Sequence, residues 1–581
     1  MISPAERIHE HLRGIYGPEE GPRVARELLH RLGAPHDAAP EPTGRLSRSD
    51  AFLITYGDQI TSEGEPPLAT LKTVLREDFD FIAGVHILPF FPWSSDDGFS
   101  VIDYRRVDPK LGSWEDVTAV ARERRLMVDA VINHVSAQGP WFQAFLRGEA
   151  PYDRFFITVD PVASADDLRL VFRPRAHPLL TRFETAKGPR HVWTTFSADQ
   201  VDLDYSNPRV LLEIIDILLL YVEKGAQVIR LDAVAYLWKE LGTPCLHHEK
   251  THRVVKVLRA VLDHAAPHVL LITETNVPHA ENISYFGCPL GESTDEAQLV
   301  YQFPLPPLTL HTFLTGDATR LSAWAATLDP PAPEASFFNF LASHDGIGVV
   351  PALGLLTEEE IDALVRAVEA HGGLVSYRDD GRGGRKPYEL NTTFFDALND
   401  PRRPDRDTDV ARFMAAHAVM LSLQGVPGIY LHSLLGSRND RAAAEASGQA
   451  RRINREKLSL RELRRRIQDD KGHQGRVLAA WRRLMDVRRR EPAFSPRVGQ
   501  RVLDLGPRVF ALLRRPAAPD RPVLCLTNVS SSAVTLDLPD LGVPGVGGGL
   551  RDLLGHHHPE GGEKGSRLLL PPYGIAWLAP A

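Results

Sequence analysis

The chain has 581 residues, 43% of them hydrophobic and 24% charged, with a formal net charge of −8. That length can bury a large core and hold one large catalytic domain plus a smaller one. The modest negative charge gives no footing for a nucleic-acid or membrane-surface partner. Three cysteines, Cys245, Cys288 and Cys525, are too few and too dispersed for a disulfide framework or a zinc site. The opening MISPAERIHEHL lacks the basic segment and apolar run of a secretion signal, and no apolar stretch reaches bilayer length. A cytoplasmic enzyme is the expectation.

Residues 1–47 are expected to form an extension of one or two polar helices that ends in the loop APHDAAPEPTG. Short apolar runs then alternate with amphipathic helical stretches. In order the runs are AFLITYG, GVHILPF, LMVDAVI, AQVIRLD, VLLITET, LVYQFPL, FFNFLAS and VPGIYLH. Between them lie LATLKTVLRE, WEDVTAVARER, VLLEIIDILLLYVEK and THRVVKVLRAVLDHA. Continuous apolar strands alternating with helices predict a parallel sheet covered on both faces. Eight such units predict an α/β protein with a closed (β/α)8 TIM barrel.

Two connections are too long for simple crossovers. The barrel is expected over 48–135, 203–353 and 407–492. An inserted domain fills 136–202, and a second insertion fills 354–406. In the latter, the Gly and charge density of RDDGRGGRKPYE reads as a mobile loop. From 493 to 581, short β-like runs alternate with turns, among them GVPGVGGG, and predict a C-terminal antiparallel β domain.

In a barrel of this kind the active site lies at the carboxyl ends of the strands. The fourth run ends in Arg230 and Asp232, the fifth in Glu274, and the seventh in His344 and Asp345. A single Asp at a strand end is commonly a cap or turn residue, and Asp129 after the third run is read that way, bonding the barrel backbone. Three acids facing one mouth, each beside an Arg, Asn or His, exceed what capping needs. Glycoside cleavage does need them: one carboxylate attacks the anomeric carbon and one carboxylic acid protonates the leaving oxygen, about 5–5.5 Å apart in retaining enzymes. Crowded carboxylates also raise the pKa of one of them. Arg230, two residues from Asp232 on one strand, faces the same side and is suited to keep Asp232 ionised. His134 and His344 suit sugar hydroxyls. Phe90, Phe91, Trp93, Phe99 and Phe196 surround these segments, and the polar contexts of Phe99 and Phe196 mark those two as candidates to pack on a sugar ring.

DAVINH, VIRLDAVAY, LITET and FLASHD resemble the conserved regions of the α-amylase superfamily of glycoside hydrolases. GVHILPFFPWSSDDGFSVIDY, FRPRAHP, VWTTFSADQVDLD, LPPLTLHTFLTG and GQARRINRE look like its sucrose phosphorylase branch, over roughly residues 50–490. Within that branch, TETNVPHAENISYFG and PYELNTTFFDAL resemble the glucosylglycerate phosphorylases more than the sucrose phosphorylases. The resemblance implies Asp232 as nucleophile, Glu274 as acid/base and Asp345 as stabiliser of the transition state. It implies that Asp97, His134, Arg230, His344 and Arg455 hold the glucosyl unit, with Phe99, Phe196 and Gln200 around it. Tyr236, Arg175 and the 377–391 loop would shape the acceptor side. The branch implies no organic cofactor, inorganic phosphate as co-substrate, no calcium at Asn133, and a monomer or homodimer.

One departure is Asn276, where sucrose phosphorylases carry a His that helps bind fructose and phosphate. Another is the basic set Arg378, Arg382, Arg385 and Lys386, which suits a small anionic acceptor or, equally, the solvation of an exposed loop. The expected reaction is reversible phosphorolysis of 2-O-α-D-glucosylglycerate. The alternatives are sucrose or glucosylglycerol phosphorolysis, hydrolysis on the same site, or a non-catalytic barrel, against which the three retained acids argue. Asp232→Ala is expected to abolish turnover; an assay showing unchanged activity would remove Asp232 from the mechanism.

Overall fold

The computed structural model describes residues 2–35, 46–175, 177–379, 384–538, 549–562 and 565–580. Most of the APHDAAPEPTG loop, nearly all of GVPGVGGG and the tip of RDDGRGGRKPYE, with Arg382, lie outside the described residues.

Eight parallel strands close into a barrel: Phe52–Thr55, Gly84–Ile87, Arg125–Ala130, Ala226–Leu231, Leu270–Thr273, Leu299–Tyr301, Ser336–Asn339 and Val426–Tyr430. They coincide with the eight apolar runs. Each pairs with the next, and the eighth returns to the first through Phe52↔Gly428. Strand residues such as Leu53, Val85, Val128, Ile229, Leu271 and Val300 are buried whichever way they point, because side chains fill the barrel inside and helices cover it outside. The helices Pro67–Glu77, Trp114–Ala121, Pro208–Glu223 and Glu249–Ala265 supply that cover.

The N-terminal extension is a helical run, Pro4–Leu32, opened by a Ser3/Glu6 capping box and broken at Gly17, whose φ of 86° leaves the helical region. Pro18 explains the position of the break, since a residue before proline is pushed out of the α region. The run buries Ile8, Leu12 and Leu28 against Glu249–Ala265. Arg7 pairs with Asp263 at 2.7 Å, and the Tyr16 hydroxyl donates to the Tyr205 carbonyl at 3.1 Å.

The first insertion grows from a two-stranded ladder, His134–Ser136 with Gln200–Asp202, and carries a hairpin, Leu180–Thr185 with Gly188–Trp193. In the second insertion, the tip of the expected mobile loop lies outside the described residues, and its flanks are strands. Leu374–Asp379 and Arg385–Asn391 form an antiparallel hairpin that pairs with Ile347–Gly348 just after the seventh strand. Beyond residue 494 a five-stranded sheet (Gln500–Leu503, Val509–Arg514, Val523–Asn528, Leu550–Asp552, Ile575–Pro580) faces a three-stranded one. In Val534–Leu538, Val534, Leu536 and Leu538 point inward while Thr535 and Asp537 face solvent, the period-two pattern of a half-buried strand.

Candidate active site

Parallel register places the chemistry. Asp129 pairs with Arg230, and Arg230 with Ile272, so Asp232 and Glu274 emerge side by side at the ends of the fourth and fifth strands. Arg230 is buried there. Its Nη1 donates to Asp129 and, at 2.8 Å, to Asp232 Oδ1; Nη2 lies 4.0 Å from Glu274 Oε2. Its guanidinium also lies 5.8 Å from the Phe99 ring and 5.6 Å from that of Tyr301. Asp129 receives His86 Nε2 at 2.7 Å on its other oxygen. Its partners are thus side chains rather than the barrel backbone, which corrects the capping expectation. Burial pushes Asp129 up, but His86 and Arg230 outweigh it and bring it down to about 2.

Burial raises the pKa of both Asp232 and Glu274. Glu274 is pushed up to about 7 by burial and by the neighbouring Asp232 and Asp345, against the pull of Arg230. The direct Arg230 bond goes to Asp232, so the shared proton belongs on Glu274. Glu274 Oε2 accepts the Ala233 N–H at 3.0 Å, which fixes the acid's orientation. Asp345 faces this pair. Burial raises it, and Arg451, then Arg455, more than reverse that, so its pKa is lowered. His344 stacks flat on Phe99 at 4.8 Å; burial, then Arg455 and Arg230, hold its pKa well below the ordinary value, so the imidazole is neutral. The site therefore offers a shielded nucleophile, a protonated acid and a third, ionised carboxylate, the equipment of a retaining glycosyl transfer.

One cleft is lined by Asp232, Glu274, Asp345, Phe99, His134, Arg175, Phe196, Gln200, Asn276 and His344. His134 Nε2 contacts the Phe99 carbonyl at 2.9 Å, and Gln200 Nε2 donates to the same oxygen at 3.1 Å. Ser94, Ser95 and Ser100 all donate to Asp199, so the SSDDGFS segment is bound to the first insertion by one carboxylate. Arg230 and Tyr236 are not among the residues that line the cleft; the Tyr236 ring is edge-on to that of Phe196 at 5.3 Å. Phe90 and Phe91 are fully buried core, while Trp93 is half-exposed at a side recess.

Asp97 and Arg455 are placed differently from the expectation. They line the side recess, where Asp97 accepts from Arg455 Nη1 at 2.5 Å and from Arg452. Asp96 is the acid of the pair that lines the cleft. Both have positive φ, 53° for Asp96 and 49° for Asp97, so neighbouring side chains diverge in a way that strand alternation does not foretell. Tyr388 and Glu389, from the 377–391 loop expected at the acceptor side, also line the cleft, as does Arg451, which the sequence reading did not single out. Arg451 lies within the quoted GQARRINRE, and the other two within PYELNTTFFDAL; a motif marks the neighbourhood without saying which member points inward. Asn276 Oδ1 is buried with no hydrogen-bond partner among the described residues. A Cβ on Gly348 would sit 2.7 Å from it, so glycine there makes room for the amide.

The basic hairpin residues do not line the cleft. Lys386 pairs with Glu358 at 2.7 Å near the surface, Arg385 is exposed, and the Arg378 guanidinium lies 5.9 Å from the Phe172 ring. The cleft's own cations are Arg175 and Arg451. Asn133 Oδ1 accepts from Lys239 at 2.7 Å, and that ammonium lies 2.6 Å from Asp202. Among the described residues no cluster of three or more His, Cys, Asp or Glu is placed to hold a metal ion.

Residues 81–354 match the model of the alpha amylase catalytic domain. A glucosylglycerate phosphorylase of Spirochaeta thermophila is 54% identical over 538 residues, covering 91% of this chain and 90% of that protein. The chain belongs to the sucrose phosphorylase branch of the α-amylase family. A second member of this family, the glucosylglycerate phosphorylase of Escherichia coli, is 42% identical and covers 99% of this chain and 100% of its own. The crystal structure of sucrose 6F-phosphate phosphorylase from Thermoanaerobacter thermosaccharolyticum superposes with a TM-score of 0.72 at 26% identity, over 85% of this chain and 96% of that one.

An acid role for Glu274 predicts a pH dependence. Its pKa of about 7 means that the protonated acid needed for leaving-group departure is lost as pH rises through neutrality. The pH profile of kcat/KM is expected to fall on its basic side with a midpoint near that value, and Glu274→Gln is expected to remove that limb. A basic limb that survives in Glu274→Gln belongs to another group.

Proposed function

We infer that the protein is a retaining phosphorylase of 2-O-α-D-glucosylglycerate that releases D-glycerate and forms α-D-glucose 1-phosphate. The observation that carries this reading is the pair of relatives named glucosylglycerate phosphorylase, 54% and 42% identical over 91% and 99% of this chain. Asp232 attacks the anomeric carbon while Glu274 gives its proton to the departing glycerate oxygen, forming a β-glucosyl-enzyme. Phosphate then attacks that ester from the vacated side, its hydroxyl proton passes to Glu274, and the α-configuration is restored. Asp345 offsets the positive charge that builds on the ring in both steps. The chemistry calls on no organic cofactor.

Arg175 supports an anionic acceptor. It lines the cleft on the Asn276 and Tyr388 side and makes no hydrogen bond or ion pair among the described residues. An unengaged guanidinium at an acceptor subsite suits the glycerate carboxylate in one half-reaction and phosphate in the other. Asn276 Oδ1, also unpartnered, is placed to accept from an acceptor hydroxyl. No helix among the described residues is long and apolar enough to cross a membrane. The three free thiols, one of them exposed, favour a cytoplasmic, reducing setting.

The test is phosphate release from α-D-glucose 1-phosphate with D-glycerate, fructose, glycerol or water as sole acceptor. Fast release with D-glycerate alone is expected; release favouring fructose would make the protein a sucrose phosphorylase instead. Arg175→Ala is expected to raise the KM for D-glycerate about tenfold or more, the loss of one charge-assisted contact. An unchanged KM would take Arg175 out of acceptor binding.

A further inference from the structure

After the third barrel strand, Arg125–Ala130, residues 131–134 leave the ladder and run to the cleft entirely inside the protein. Buried carbonyls outside a ladder need donors from elsewhere. The Asn133 carbonyl accepts the Leu203 N–H at 3.0 Å. The other three are served by tyrosine hydroxyls. Tyr104 shares its proton between the carbonyls of Val131 and His134, at 2.7 and 2.9 Å, and Tyr205 donates to that of Ile132 at 2.8 Å. Both tyrosines are buried, and burial raises both phenols above their ordinary pKa, so each keeps its proton and donates. Tyr205 is held in turn from outside the barrel, where its own carbonyl accepts from Tyr16 of the N-terminal helical run.

The run ends on His134, whose imidazole lines the cleft with Nε2 2.9 Å from the Phe99 carbonyl and its ring 5.3 Å from that of Phe196. Neither Tyr104 nor Tyr205 lines the cleft. Tyr104 follows Phe99 by five residues, so its hydroxyl ties the segment that carries Phe99 to the backbone that carries His134. We propose that Tyr104 and Tyr205 are positioning residues for the glucosyl subsite: their hydroxyls fix the backbone of residues 131–134, and with it the place at which His134 meets the sugar. The proposal rests on the reading of His134 as a contact of the glucosyl unit in the reaction above. Removing either hydroxyl strips a buried carbonyl of its donor and lets the run relax, and a misplacement of about 1 Å in a substrate-holding group can cost on the order of 100-fold. Tyr221 supplies the contrast. It is equally buried, its ring stacks on Phe91, and its hydroxyl has no hydrogen-bond partner among the described residues.

The experiment is a double-mutant cycle on the full-length protein, read as KM and kcat for α-D-glucose 1-phosphate in exchange with labelled inorganic phosphate. Exchange needs no acceptor sugar or acid, so a wrong acceptor assignment leaves it intact. Tyr104→Phe keeps the ring and removes one oxygen; it is expected to raise KM about tenfold, and Tyr205→Phe about threefold. In a His134→Ala background either substitution is expected to change KM less than about twofold, because the contact it positions is already gone. Tyr221→Phe is expected to leave KM where it is. A merely structural role would lower kcat through lost active protein and leave KM unchanged. An unchanged KM in Tyr104→Phe, or a loss as large without His134 as with it, would overturn the proposal, and so would an equal loss in Tyr221→Phe. Should Tyr104→Phe fail to fold by thermal melting, the same cycle on Tyr205→Phe decides. Absence of exchange in the unaltered protein would refute the phosphorylase reading alone, and the cycle is then read from hydrolysis of an aryl α-D-glucoside.

Discussion

The site depends on one buried guanidinium. Arg230 sits between Asp129, Asp232 and Glu274, and without it three acids would lie together in a protein interior, which repulsion and lost hydration forbid. Its placement decides which acid carries the proton. Asp129 is fully satisfied by Arg230 and His86 and stays ionised. Asp232 has the same guanidinium at bonding distance, while Glu274 sees it only from 4.0 Å. Asp232 and Glu274 are thus distinguished by the direction of a single side chain, held in turn by strand register and by the rings of Phe99 and Tyr301.

The barrel supplies reactive groups, but the connections supply the walls. The loop after the second strand brings Asp96 and Phe99, the first insertion brings Arg175, Phe196 and Gln200, and the second brings Tyr388 and Glu389. These pieces are joined by polar bonds: the three serines on Asp199, and Arg451 spanning Asp345 and Glu389. A phosphorylase must admit phosphate and exclude water, and a wall assembled from bonded insertions can do both. The distribution of charge fits that task. Arg385 and Lys386 of the second insertion face outward, Lys386 on Glu358, while Arg175 lines the cleft without a hydrogen bond or ion pair among the described residues.

The barrel was legible because its strands are buried on both faces and therefore read as unbroken apolar runs. Asp232, Glu274 and Asp345 were legible because a strand end fixes both their height in the barrel and the face they present. Legibility faded in the connections. RDDGRGGRKPYE has the composition of a loop, yet on either side of its undescribed tip it belongs to strands, Leu374–Asp379 and Arg385–Asn391, the second of which also pairs with Ile347–Gly348, remote in sequence. The motif SSDDGFS offers two consecutive acids, and only a backbone turned to positive φ at both sends Asp96 to the cleft and Asp97 to Arg455. Likewise GQARRINRE offers three arginines within five residues; Arg451 faces Asp345 while Arg452 and Arg455 turn to Asp97.

By itself, then, the sequence determined the barrel, the three carboxylates and the class of chemistry, since each follows from local periodicity and from residues at strand ends. Tertiary structure alone decided which acid of a pair lines the cleft and which arginine there is spent on a carboxylate. Those outcomes depend on distances between segments 40 to 360 residues apart, as in Asp97 with Arg455. Electrostatic partnership depends on distance in space and is blind to sequence separation, so no local pattern encodes it.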